Sequence, residues 1–327
     1  MDDPVSSRSP LTIVTAAAVL LLLTATTVTA HAPRASAAGL TPVPDFGADP
    51  GTLSLYTYVP DDLAEGAPLV VLLHGCSQDA DTYHAHSGWA EQADESGFAL
   101  AYAEQDSTNN LQACFNWFEP GDTARDSGEA ASVRSMVDHT LDTHGLDPGR
   151  VFVSGLSAGG AMAGELLAAY PDVFAGGDVV AGIPVGCAES LVDATTCMSF
   201  GKDRTPEQWG DEVRAEYDGD TSWPRVAVWH GSSDTTVVPT NGDASVDQWT
   251  DVHGLSGGPD ETAELPGGTT AEYYGGSADG ATVAHFTVEG LGHGTPVAPD
   301  EGCGTTGPFF PDSVCASAYT AQFWGIA

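Results

Sequence analysis

Past residue 37 the chain alternates short apolar runs with longer mixed stretches. Leu53 to Val59 alternates apolar and polar positions, the period of a half-buried strand. Pro68 opens the run Leu69-Val70-Val71-Leu72-Leu73, continuously apolar, as in a strand covered on both faces. The pattern predicts a helix over 88–96 and a strand over 98–102. A second helix is predicted over 128–143, with apolar or small residues at 131, 133, 137 and 141. Asp147-Pro148-Gly149 then turns into a strand at 151–153. Further strands are predicted at 178–181 and 226–229, and 271–274 with 282–288 reads as a terminal hairpin. Strands alternating with helices pack as a mostly parallel sheet with helices on both faces, the α/β class. Residues 187–223 are polar and carry no strand pattern.

Residues 1–37 differ in kind. Arg8 precedes the apolar run 11–30, and small residues end in Ala35-Ser36-Ala37, the features of a secretory signal peptide with its cleavage site. A membrane anchor is the competing interpretation. Threonine and alanine dilute the run and no basic flank follows it, so a secreted, extracellular protein with no membrane association after cleavage is expected. Residues 38–327 then form a single catalytic-size domain. The formal net charge is −37, and Lys202 is the only lysine. Such a surface repels nucleic acid and anionic lipid. It serves as a solvated shell that tolerates high salt, and a monomer is expected. The six cysteines are an even set in an exported chain, and no C-x-x-C occurs, which favours disulfides over zinc. Cys187 with Cys197 and Cys303 with Cys315 each close a short loop, leaving Cys76 with Cys114. No metal site and no cofactor is expected.

The chemistry centres on Gly155-Leu156-Ser157-Ala158-Gly159, which follows the strand at 151–153 and opens a helical pattern. Strand, G-x-S-x-G and helix together make a nucleophile elbow. A serine hydroxyl needs a base in hydrogen-bonding reach, and that base an orienting carboxylate. Asp234 lies in the loop after the strand at 226–229. His293 lies in Gly290-Leu291-Gly292-His293-Gly294, directly after the last strand. Serine, acid, histidine is the chain order that such sheets use, so Ser157, Asp234 and His293 are the expected catalytic triad. His230 and His74 are expected to brace loops. An oxyanion hole needs two N–H donors. Ala158, after the nucleophile, and Cys76, in the loop after Leu69–Leu73, are the candidates.

The stretches LVVLLHGCSQ (69–78), ACFNWF (113–118), GLSAGGAMA (155–163), WHGSSDTTVVP (229–239) and the tail from 302 to 325 carry a resemblance to a known family. The chain resembles the extracellular polyhydroxybutyrate depolymerase esterases, which stand close to feruloyl and acetylxylan esterases. The resemblance implies an α/β-hydrolase fold acting on esters. It implies the same triad and the same oxyanion donors, and it places 187–223 where such folds insert a small cap, here pinned by a disulfide. The implied substrate is a polyhydroxyalkanoate-type polyester or its oligomers, or alternatively a feruloylated or acetylated plant polysaccharide. Trp117 and Trp209 are the candidate substrate contacts, with Phe115, Phe118 and Trp223 as further aromatics. A non-catalytic binding module on the same scaffold would lack one triad member, and peptidase action would need a mark of peptide-terminus recognition. The chain has all three triad types and no such mark.

Overall fold

All five residues of Leu69–Leu73 are fully buried, and alternate positions serve opposite faces. Leu69, Val71 and Leu73 enter one apolar cluster, Val70 and Leu72 another. At about 1.5–3 kcal/mol per buried side chain, this strand contributes roughly 10 kcal/mol before conformational entropy is charged against it. The computed structural model describes Met1 and residues 39–327, so the predicted signal peptide and its cleavage site lie outside the described residues. Ala38–Ala327 form one compact unit.

The strands are β1 (Thr41–Val43), β2 (Leu53–Tyr58), β3 (Leu69–Leu73), β4 (Ala99–Gln105), β5 (Val151–Leu156), β6 (Gly176–Val180), β7 (Arg225–Gly231), β8 (Glu261–Leu265), β9 (Thr269–Tyr274) and β10 (Val283–Val288). They make one sheet in the order β1-β2-β4-β3-β5-β6-β7-β10-β9-β8. The central pairs from β4 to β10 are parallel; β1, β2, β8 and β9 are antiparallel additions at the edges. The predicted hairpin forms, β9 antiparallel to β10, but it does not end the sheet. Its β10 lies inside, parallel to β7, and β8 continues the sheet beyond β9. The Glu-Thr-Ala-Glu-Leu of β8 is mostly exposed, and a polar edge strand leaves no apolar period to detect.

Helices α1 (Ala80–His86), α2 (Trp89–Ser96), α3 (Pro120–Thr123), α4 (Gly128–His144), α5 (Ala158–Ala169), α6 (Leu191–Phe200), α7 (Pro206–Ala215), α8 (Thr240–Val252) and α9 (Ala316–Trp324) complete the fold. Val133 and Met136 of α4, Leu166 of α5 and Trp249 of α8 cover one face. Tyr83 of α1, Trp89 of α2 and Trp324 of α9 cover the other. This is an α/β-hydrolase fold. In α4 the predicted positions Val133 and Val137 are buried, Leu141 packs partly buried against the same cluster, and the stripe also takes in Glu129, Met136 and Thr140, which the periodicity did not single out. Glu129 turns inward because the Asn116 amide and the Gln105 side chain donate to its carboxyl.

All six cysteines are paired, Cys76 with Cys114, Cys187 with Cys197 and Cys303 with Cys315. Strand order reverses between β3 and β5, whose neighbouring C-terminal ends flank the crevice where open α/β sheets bind ligands.

Candidate active site

Ser157 joins β5 to α5 at φ 59° and ψ −115°, a conformation L-residues avoid and which is retained where surrounding structure enforces it. The enforcement is steric. A Cβ on Gly155 would lie 2.2 Å from the Gly159 carbonyl oxygen, and one on Gly159 would lie 2.3 Å from the Leu73 carbonyl oxygen. The Ser157 amide donates to the Val180 carbonyl at 2.8 Å, tying the elbow to the end of β6. Every residue of α5 is buried, so the helix N-terminus directs its free N–H groups and positive dipole end at the serine from inside the protein.

Two loops, after β7 and after β10, bring Asp234 and His293 together. His293 Nδ1 is 2.7 Å from Asp234 Oδ2, while Oδ1 accepts from the Thr236 and Val237 amides at 2.8 and 2.9 Å. Burial works against ionisation of Asp234. The hydrogen bond and charge of His293, with the two amides, outweigh burial and hold the carboxyl below its ordinary range. An ionised carboxylate only accepts, so Nδ1 carries the imidazole proton and Nε2 presents a lone pair. The two loops touch directly. The Ser233 amide donates to the Leu291 carbonyl at 2.9 Å, and a Cβ on Gly231 would lie 2.4 Å from that oxygen. His230 lies behind the acid, its Nε2 donating to the Val237 carbonyl at 2.9 Å. Burial keeps it neutral, pushing its pKa down.

The loop after β3 is equally constrained. His74 Nδ1 donates to the Gly75 carbonyl at 2.8 Å and its Nε2 accepts the Gln105 amide at 3.1 Å. The Gly75 amide donates to Gln78 Oε1 at 2.8 Å, and the Ser77 amide to the Gln112 carbonyl at 2.7 Å. The Cys76–Cys114 disulfide joins the same two segments. Cys76, Ser157, Ala158 and His293 all line one cavity of about 310 Å³, with Asp234 buried behind the histidine.

The sequence profile described as esterase PHB depolymerase matches residues 53–272. The chain belongs to this family. Poly(3-hydroxyalkanoate) depolymerase C of Paucimonas lemoignei is 46% identical over 292 residues, which cover 88% of this chain and 70% of that protein. Feruloyl esterase B of Thermothelomyces thermophilus is 36% identical over 273 residues, covering 80% of this chain and 90% of that one. Among solved structures, the acetyl xylan esterase from Aspergillus awamori superposes with a TM-score of 0.75 at 26% identity, covering 89% of this chain and 100% of that one. The chain is a carboxylic ester hydrolase.

Within this esterase, Trp117 and Phe118 line the cavity, but Trp209 does not. Trp209 is buried between α7 and α8, under the Arg204 guanidinium at 4.7 Å, with its carbonyl accepting from Gln248. It packs the core because α7 turns its apolar stripe onto α8, away from the cavity. Phe115 is buried against His74, and Trp223 borders a separate depression. From 187–223, α6 reaches the cavity, through Leu191, Ala194, Thr195 and Met198. That three-and-four spacing is the signal in the sequence that could have singled out the helix. Phe309 carried no such signal. It reaches the cavity because the Cys303–Cys315 loop folds back, the Thr295 amide donating to its carbonyl at 2.9 Å. Its ring meets His293 edge-on at 5.9 Å. Among the described residues, no group of three or more His, Cys, Asp or Glu side chains is arranged to hold a metal ion.

Proposed function

We propose that Ser157 is the nucleophile of this esterase, His293 its base and Asp234 the orienting acid, and that the substrate is a polyhydroxyalkanoate-type polyester or its oligomers. The observation that carries the chemistry is the 2.7 Å contact from Asp234 to His293 Nδ1, with His293 and Ser157 on one cavity. Nε2 of His293 takes the Ser157 proton as Oγ attacks the ester carbonyl. The Cys76 and Ala158 amides hold the oxyanion. The proton passes to the leaving alkoxide, the acyl group stays on Ser157, and water activated by His293 releases the acid.

The polyester assignment draws support from the cavity wall. Trp117, Phe118, Ile183, Met198 and Phe309 are apolar, and His293 is the one ionisable side chain among the lining residues, so the wall suits an uncharged aliphatic acyl group. The 46% identical relative bears a poly(3-hydroxyalkanoate) depolymerase name. A feruloyl or acetylxylan ester is the second reading, favoured by the full-length superposition on an acetyl xylan esterase. The protein acts outside the cell as a monomer and binds neither nucleic acid nor membrane, in keeping with its −37 charge and three disulfides. Initial rates on hydroxybutyrate oligomers, methyl ferulate and acetylated xylan test the substrate; faster turnover of either plant ester overturns the polyester reading. Ser157→Ala tests the chemistry, and undiminished hydrolysis by that variant would sink it.

A further inference from the structure

Apart from Met1, five large apolar side chains are exposed among the described residues. They are Leu111 (95%), Phe200 (80%), Val192 (78%), Leu191 (64%) and Phe309 (46%). Leu191 and Phe309 line the cavity, and each of the other three lies within two positions of a lining residue, Gln112, Leu191 or Met198. The exposed apolar surface is thus gathered around one opening, where scattered single residues would need no explanation.

The same segments lack charge. In a chain with 46 acidic residues, 109–112, 190–200 and 307–311 hold a single charged residue, Asp193. Its carboxylate faces Lys202 Nζ at 3.4 Å. On α6, 100° per residue turns Leu191, Ala194, Thr195 and Met198 toward the cavity and leaves Val192 and Phe200 on its outer sides. A folded protein seated on this collar would stopper the cavity that substrate must enter. An anionic surface is repelled by the remainder of the molecule. The occupant that fits both constraints is bulk substrate, an uncharged apolar solid whose chain ends or loops feed into the opening.

We infer that the collar formed by Leu111, Val192 and Phe200 with the cavity rim is an adsorption surface by which the catalytic domain itself docks on solid polyester. The inference rests on the polyester reading above. Adsorption by this collar buries apolar side chains, so it persists in 1 M NaCl, whereas charge-driven adsorption weakens.

The test measures adsorption of Ser157→Ala protein to poly(3-hydroxybutyrate) film with and without Leu111→Ser, Val192→Ser and Phe200→Ser. The triple change should weaken film binding at least tenfold. In the active background it should leave kcat/KM for p-nitrophenyl butyrate within twofold, a readout that misfolding would not preserve. Val192→Ser alone, which removes one exposed side chain, should weaken film binding severalfold. Unchanged film binding by the triple variant overturns the inference, as does binding abolished by 1 M NaCl. A solution dimer that the triple variant dissociates, with film binding intact, assigns the collar to a second copy instead. Equal binding to phosphatidylcholine vesicles assigns it to lipid. Failure of the substrate reading is separate: it would appear as no hydrolysis of soluble hydroxybutyrate oligomers by the wild-type chain, whatever the film binds.

Discussion

His293 Nδ1 lies 2.7 Å from Asp234 Oδ2, although 59 residues separate the two. The contact exists because β7 and β10 are parallel neighbours whose C-terminal loops start side by side. The carboxylate dictates which imidazole nitrogen is protonated. Asp234→Asn keeps the shape but can present an N–H to Nδ1, favouring the wrong tautomer. The expected loss in kcat is about 10⁴-fold with the fold retained, read by steady-state hydrolysis of p-nitrophenyl butyrate and circular dichroism. A loss under tenfold would remove Asp234 from the proposed triad.

Cys76→Ser with Cys114→Ser keeps the Cys76 amide but frees the loop that carries it. The bridge spans 38 residues, so its loss costs roughly 4 kcal/mol if the chain-entropy account holds. Tm should fall by on the order of 10 °C, and kcat should fall more than KM rises, because the amide's proposed work is done on the oxyanion. An unchanged kcat in a folded variant would show that the bridge does not steady that donor.

Gly159→Ala should destabilise by about 2–3 kcal/mol or more, since the added Cβ would lie 2.3 Å from the Leu73 carbonyl and 2.6 Å from that of His74. Denaturant midpoints measure it. A variant as stable as wild type would mean the elbow relaxes in a way its packing does not suggest.

Glu165 on α5 is buried, and burial, with the charges of Glu216 and Glu212, pushes its pKa up to about 8. Because the folded-state pKa is raised, its protonated form stabilises fully below the unfolded value near 4.5, and that stabilisation disappears as pH climbs to about 8. Glu165→Gln should therefore raise Tm at pH 8 by several degrees and change it little at pH 4. Identical Tm differences at the two pH values would contradict the assignment. His74 and His230 titrate in the opposite sense: burial depresses them, so the stability they support fades as pH falls below about 6.5. Scanning Glu165→Gln and wild type from pH 4 to 9 separates the two trends: the difference between the two proteins reports Glu165, and the acid-side loss they share reports the histidines.

The net charge of −37 predicts that salt relieves self-repulsion. Soluble-ester activity should persist in 2 M NaCl, and Tm should rise with added salt. A steep loss of activity below 0.5 M would point to a charged contact with substrate.

The parallel sheet, the elbow and the acid and histidine loops were legible because each is a local pattern with a physical cause. Apolar runs such as Leu69–Leu73 satisfy both faces of a sheet, and Gly155 and Gly159 are the residues a turn around Ser157 can hold. The loop roles of His74 and His230 were legible for the same reason, since both lie at strand ends. The edge strand β8 escaped because an exposed strand needs no apolar period.

The wall of the cavity is another matter. Trp117 and Trp209 are equally apolar in the sequence, yet one lines the cavity and the other fills the seam between α7 and α8. Phe309 gains its place only because the Cys303–Cys315 loop folds back beside His293. Strands and turns are set by neighbours within a few residues, so the α/β class and the candidate catalytic groups could be read from the chain alone. Which side chains line the cavity depends on the packing of segments distant in the chain, so that part of the site emerges only once the chain is folded.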